Sequence, residues 1–135
     1  MEDKKSILLI DDNPEYYDEI IQSLKELYNV VVVLSLKSAE RLLYYRSFDL
    51  AIVDMMMSAR GYENFEEFRA GLMFYDSVIR AKHPKMPTII WSVIDEVEEY
   101  KNKKLELGEN VDNLYYCYKD WGSKMFETIE SILNQ

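Results

Sequence analysis

Four short runs of apolar, largely β-branched residues constrain this chain most: SILLI at 6–10, NVVVVLSL at 29–36, DLAIV at 49–53 and PTIIWS at 87–92. None alternates between polar and apolar, so none reads as a strand with one face in water. Continuous Val/Ile/Leu runs of this length belong to parallel strands covered on both sides. A fifth segment, NLYYCY at 113–118, is less apolar but β-prone. The stretches between carry helical period. Residues 14–28 follow Asn13, a good N-cap, with Pro14 at the first helical position. Residues 38–46, 71–83, 95–108 and 123–135 supply four more helices, the fourth closed by Gly108. The order βαβαβαβαβα predicts one α/β domain over residues 1–135, with right-handed crossovers doubly winding a parallel sheet.

One connection is out of proportion. MMMSARGYENFEEFRA at 55–70 far exceeds the 2–6 residues usual for a βα loop. Asn64 with Glu67 three residues later has the pattern of a helix cap within it. Its aromatics Tyr62, Phe65 and Phe68 are anchors worth burying, so the segment is expected to be an ordered element beside the site rather than a disordered spacer.

Bulk properties exclude several classes. Twenty-five acids against 16 bases give a formal charge of −9, which argues against a nucleic-acid surface and against anionic membranes. A lone cysteine, Cys117, excludes an internal disulfide and suits a reducing cytosol. No run of apolar residues is long enough to span a bilayer, and the start of the chain lacks the apolar core of a signal peptide. A cytoplasmic location is expected.

In an open parallel sheet, ligands bind beyond the carboxyl ends of the strands. The residues there are Asp11 and Asp12 after the first run, Asp54 after the third, Ser92 ending the fourth and Lys119 after the fifth. Three carboxylates in one place repel each other strongly. Lys119 offsets one charge, and a hard divalent cation such as Mg²⁺, which takes carboxylate and water oxygens, offsets two more.

With these residues in order on their strand ends, the chain resembles the receiver domain of two-component response regulators. ILLIDDNPE looks like that family's acidic pair, DLAIVDMMM its phosphoacceptor strand, PTIIWSV its Ser/Thr strand and YCYK its Lys strand. The resemblance covers roughly residues 4–134. It implies a flavodoxin-like fold of strand order 2-1-3-4-5 flanked by five helices. It further implies a regulatory phosphoacceptor rather than an enzyme with its own turnover. Asp54 would take a phosphoryl group from a histidine kinase or phosphotransfer protein. Asp11, Asp12, Asp54 and the backbone carbonyl of Met56 would hold Mg²⁺. Ser92 and Lys119 would contact the phosphoryl oxygens, and Ser92 with Tyr116 would form the switch. The output would be a partner protein or an output domain outside these residues, and a homodimer is left open.

The sequence departs from the family in three places. Asp120 follows Lys119 where the family has a cis proline, Val93 replaces a small residue after Ser92, and the 55–70 loop is long. An interaction module that no longer cycles phosphate is therefore one alternative. A Mg²⁺-dependent phosphatase is another, weakened by Met56, which stands where such an enzyme has its second acid. The side chains expected to flank an attacking water, Met56 and Ile94, are apolar, which predicts a long-lived aspartyl phosphate. His83 is expected on a surface loop, and Trp91 and Cys117 in the core.

Overall fold

The computed structural model describes residues 4–120 and 122–134. Five parallel strands, β1 (Ser6–Ile10), β2 (Asn29–Val33), β3 (Leu50–Asp54), β4 (Thr88–Ser92) and β5 (Leu114–Tyr118), form one sheet in the order β2-β1-β3-β4-β5. Helices α1 (Asp18–Leu27), α2 (Leu36–Tyr45), α3 (70–82), α4 (Val97–Glu106) and α5 (Ser123–Leu133) cover both faces. Both the strand order and the doubly wound architecture are those expected.

Strand parity divides the core in two. Ile7, Leu9, Leu50, Ile52, Ile89, Trp91 and Cys117 face α1 and α5, where Ile21, Leu24, Met125 and Ile129 close over them. Leu8, Ile10, Ala51, Val53, Ile90 and Leu114 face the opposite way, against Leu36, Ala39 and Leu43 of α2, Leu72 and Phe74 of α3, and Val97 of α4. Every residue of β3 and β4 is buried, which is why those segments carry no polar–apolar alternation. Each strand gives up its polar residues only at its ends.

Several boundaries differ from the expected ones for local reasons. The apolar run at 29–36 is strand only to Val33, because Ser35 turns out of the sheet and its side chain accepts from the Ser38 amide, starting α2 at Leu36. Asn13 does not cap through its side chain. Pro14–Tyr17 is a 3₁₀ turn and α1 proper begins at Asp18; the Asn13 side chain is turned back to Asp12, donating to its Oδ1 at 3.2 Å, and the Asn13 backbone amide donates to Asp11 Oδ1 at 2.8 Å. The third helix is not uniform: Ala70–Phe74 leads into a π-helical stretch, Tyr75–Ile79, before Arg80–Lys82. The fourth starts at Val97, whose amide donates to Asp95 Oδ1 at 2.9 Å. α5 ends at Leu133, and the expected end at Gln135 lies outside the described residues. His83 lies in the loop just after α3, as expected, half-buried, and its ring Nε2 sits 2.9 Å from the Leu43 carbonyl, tying the end of α3 to α2. Among the described residues, no helix is long and apolar enough to cross a membrane.

The long connection is ordered by its aromatics. Tyr62 stacks on Phe65 with centroids 4.6 Å apart, and both pack on the core. The Tyr62 hydroxyl donates to the Glu40 carboxylate on α2, and Lys37 Nζ lies 4.5 Å from the centre of the Tyr62 ring. That hydrogen bond holds the Glu40 carboxyl below its usual range. Asn64 caps nothing. The short helix there is a 3₁₀ turn, Glu67–Arg69, preceded by Glu66 and without a side-chain cap. Phe68, expected as an anchor, is 56% exposed.

Where the loop ends, α3 crosses close above the end of β3. A Cβ on Gly71 would lie 2.2 Å from the Asp54 carbonyl oxygen, and the Gly71 amide donates to the Met55 carbonyl at 2.9 Å. Only a glycine permits this approach. Gly71→Ala must push α3 away from the strand end. It is expected to lower the unfolding free energy by about 1–3 kcal/mol in a urea titration.

Candidate functional site

Strand geometry alone assembles the acidic cluster. Asp11 follows β1 directly, and its amide continues the parallel ladder to the Val33 carbonyl at 3.1 Å. Asp54 is the last residue of β3, Ser92 the last of β4, and Lys119 follows β5 with its amide on the Ser92 carbonyl at 3.0 Å. One carboxylate oxygen from each of Asp11, Asp12 and Asp54 lies within 4.8 Å of the others. Lys119 Nζ is 3.1 Å from Asp54 Oδ1. These groups line a cavity of about 260 Å³ that also touches Ser92, with Met56 and Val93 on its wall. The structure thus brings together the side chains of Asp11, Asp12, Asp54, Ser92 and Lys119.

The three carboxylates are held differently. Asp11 is 1% exposed; its Oδ1 accepts from the Asn13 amide, and its buried Oδ2 has no hydrogen-bond partner among the described residues. Burial pushes the Asp11 carboxyl up, against the pull of the Asn13 amide and Lys119. Asp12 is half-buried, and its Oδ2 accepts from the Ser58 amide of the long loop at 3.2 Å. Asp54 accepts from the Met56 amide at 3.3 Å and from Lys119. Burial nevertheless pushes its carboxyl up to about 6, with Asp11 adding to the rise and Lys119 opposing it. One ammonium against three carboxylates leaves the cluster short of positive charge.

That donor set fits a hard divalent cation. It consists of oxygen ligands alone, grouped closely enough to share an ion, and one of them is a buried carboxylate oxygen that no group among the described residues satisfies.

Around the cluster, Ser92 Oγ accepts from the Ile94 amide at 3.1 Å, which leaves its own proton free to be donated. The Tyr116 hydroxyl donates to the Ser92 carbonyl at 2.8 Å, joining the aromatic to the strand end. The Lys119–Asp120 peptide is trans. Asp120 turns away from the cavity, and its carboxylate accepts from the Gly122 amide at 2.8 Å. Val93 and Ile94 are 55% and 62% exposed.

Sequence reasoning missed three contributors. The Asn13 and Ser58 amides act through backbone, which residue type does not encode. Gly71 could have been found, as a glycine opening a helix just after an acidic strand end.

No family model matches the chain, and no curated protein matches it. Solved structures do. The receiver domain of a Francisella response regulator is 20% identical, with a TM-score of 0.69, over 96% of this chain and 97% of that one. The response regulator TrrA of Thermotoga maritima, solved in complex with Mg²⁺-BeF, is 20% identical with a TM-score of 0.69, covering 96% of this chain and 99% of that one. The signal receiver domain of an HD domain-containing protein from Pseudomonas fluorescens is 19% identical with a TM-score of 0.71, over 99% and 90% of the two chains. At this level of identity the likeness concerns the fold: this chain is folded as a response-regulator receiver domain.

The raised Asp54 carboxyl sets a pH dependence in the absence of metal. With a folded pKa near 6 against an unfolded value of 3.8, the native state binds more protons than the unfolded one between those values. Stability from this group is therefore fully present below pH 4 and is lost as pH rises through 6. Asp54→Asn removes the penalty. In EDTA at pH 7.5 it should be more stable than wild type by up to about 3 kcal/mol. The difference should vanish at pH 4 in paired denaturation curves.

Proposed function

We propose that this chain is a phosphoacceptor signalling switch. Its Asp54 carboxylate takes a phosphoryl group from the phosphohistidine of a histidine kinase or phosphotransfer protein. The observation that carries the reading is the buried Asp54, 3.1 Å from Lys119 Nζ and flanked by the oxygens of Asp11 and Asp12.

An Asp54 carboxylate oxygen forms the new bond to phosphorus while the bond from phosphorus to the donor's imidazole nitrogen breaks. The imidazole leaves with the electron pair of that bond. Lys119 stays beside the acceptor and meets the charge that spreads over the phosphoryl oxygens. Ser92 turns its free hydroxyl proton to one of those oxygens. Tyr116, bonded to the Ser92 carbonyl, senses the rearrangement and alters the surface offered to an output partner. Asp11 and Asp12, with Asp54 and the Met56 carbonyl, are the groups that would hold Mg²⁺. When bound, Mg²⁺ supplies charge neutralisation at the acceptor oxygens. The soluble-type fold and the acidic surface fit a cytoplasmic regulator working through protein partners rather than nucleic acid.

Acetyl phosphate with Mg²⁺ should add one phosphoryl group to the wild type, located at Asp54 by mass spectrometry, and none to Asp54→Asn. Full labelling of the mutant would overturn the assignment. Millimolar Mg²⁺ should raise the melting temperature, because only the folded state assembles the site, and Asp12→Ala should abolish that rise.

Met56 and Val93 wall the cavity with apolar groups that neither orient nor deprotonate a water. The aspartyl phosphate should therefore be long-lived once the donor is removed. Met56→Asn should shorten its lifetime about tenfold, equivalent to one positioning contact of about 1.4 kcal/mol.

A further inference from the structure

We propose that Tyr17 and Trp91 form a two-ring cage whose task is to position the Lys119 ammonium for phosphoryl transfer to Asp54. The proposal rests on the phosphoacceptor reading and adds to it two residues that the acidic cluster does not include.

The geometry is direct. Lys119 Nζ lies 4.9 Å from the centre of the Tyr17 ring and 5.0 Å from that of Trp91. The rings themselves meet at 4.4 Å and 58°. A cation within about 6 Å of a ring centre is held by the electron-rich face, most strongly when it is shielded from water. The Lys119 side chain is only 15% exposed. Strand parity explains the placement. Trp91 is paired with Asp54 on one side and Cys117 on the other, and Lys119, two residues after Cys117, emerges above the same face. Tyr17 closes the cage from the 3₁₀ turn that follows the acidic pair.

A second observation separates a cage from ordinary core packing. Among the described residues, the buried Trp91 indole N–H has no hydrogen-bond partner. Such a donor costs free energy that Leu or Phe at 91 would avoid. Trp offers the best aromatic face for a cation.

Lysine needs such help more than arginine would, because its ammonium is a point charge on a four-carbon stem with many rotamers. Asp11 and Asp12 both stand in the same cavity as competing carboxylates. Between the two rings, Nζ stays within reach of Asp54 Oδ1 and of the phosphoryl oxygens arriving there. The cage thus acts through Lys119, with Tyr17 also lining the cavity that holds the acidic cluster.

The test compares wild type, Tyr17→Phe and Tyr17→Leu, changes at a half-buried ring on a turn, with Trp91→Phe as a second series. Two quantities are read. The first is the rate at which acetyl phosphate labels Asp54 at saturating Mg²⁺. In that reaction an Asp54 oxygen bonds phosphorus and the P–O bond to acetate breaks. The second is the proton shift of the Lys119 ε-methylene, which aromatic faces move upfield. Tyr17→Leu should slow labelling about fivefold to tenfold, leave the Mg²⁺ midpoint for thermal stabilisation within about twofold, and return the ε-methylene towards its free position. Tyr17→Phe and Trp91→Phe, which keep a ring face, should stay within about twofold of the wild-type rate and keep most of the shift. An unshifted ε-methylene in the wild type overturns the cage, as does equal labelling by the Leu variant and wild type, or equal loss in Leu and Phe. A wild type that takes no label at Asp54 overturns the phosphoacceptor reading instead, and the ε-methylene shifts of the same variants then decide the cage alone.

Discussion

Everything at the functional end of this molecule follows from one imbalance: three carboxylates and one ammonium share a small cavity at the ends of buried strands. Lys119 compensates Asp54, yet the Asp54 carboxyl is still pushed up to about 6. Asp11 keeps a buried oxygen with no partner among the described residues. A protein interior does not ordinarily leave such groups unanswered. The free energy lost in this corner is recovered from the two apolar layers that clamp the sheet. Their burial fixes where each strand ends, and so where each carboxylate stands.

That dependence explains what the sequence makes legible. A strand buried on both faces must be apolar along its length, so β1, β3 and β4 were plain as unbroken runs. The first polar residue after each was automatically a residue of the cavity rim. Asp11, Asp12, Asp54, Ser92 and Lys119 could therefore be brought together without coordinates. The less legible features obey no such periodicity. The Ser35 turn out of β2 was hidden inside an apolar run, because a cap needs one hydroxyl and leaves the surrounding pattern intact. The π-helical stretch in α3 keeps its buried residues close enough to helical spacing to read as continuous helix. Of the three aromatics with the residue type of an anchor, Tyr62 and Phe65 pack on the core and Phe68 does not, and Asn64 caps no helix.

The long connection matters because it joins two charged systems. At one end the Ser58 amide takes an oxygen of Asp12. Four residues later the Tyr62 hydroxyl takes the Glu40 carboxylate, which also meets Lys37 and Lys82. The backbone from Ser58 to Tyr62 therefore links the Asp12 carboxylate to α2. The connection is too well bonded to be a spacer: Tyr62 and Phe65 are half-buried against the core, the Tyr62 and Phe65 amides close turns onto Ala59 and Tyr62, and its far end is pinned where Gly71 meets the Asp54 backbone.

The two sides of the sheet divide the proposed work between them. Asp11, Asp54, Trp91 and Lys119 share the parity of the α1/α5 layer, where the cluster sits above Ile7, Leu9, Ile52 and Cys117. Ser92 and Tyr116 share the parity of the other layer, with Ile90 and Leu114, and α4 lies over that face. In the proposed reaction a new group on Asp54 meets Lys119 on its own side and draws the Ser92 hydroxyl from the other. Because the Tyr116 hydroxyl is bonded to the carbonyl of that same residue, the carboxyl end of β4 is where the proposed switch passes from the α1/α5 layer to the α4 side. In that proposal the α1/α5 layer carries the chemistry, with its lysine beside the Tyr17 and Trp91 rings. The other layer reports it through the Ser92 hydroxyl and the half-buried Tyr116.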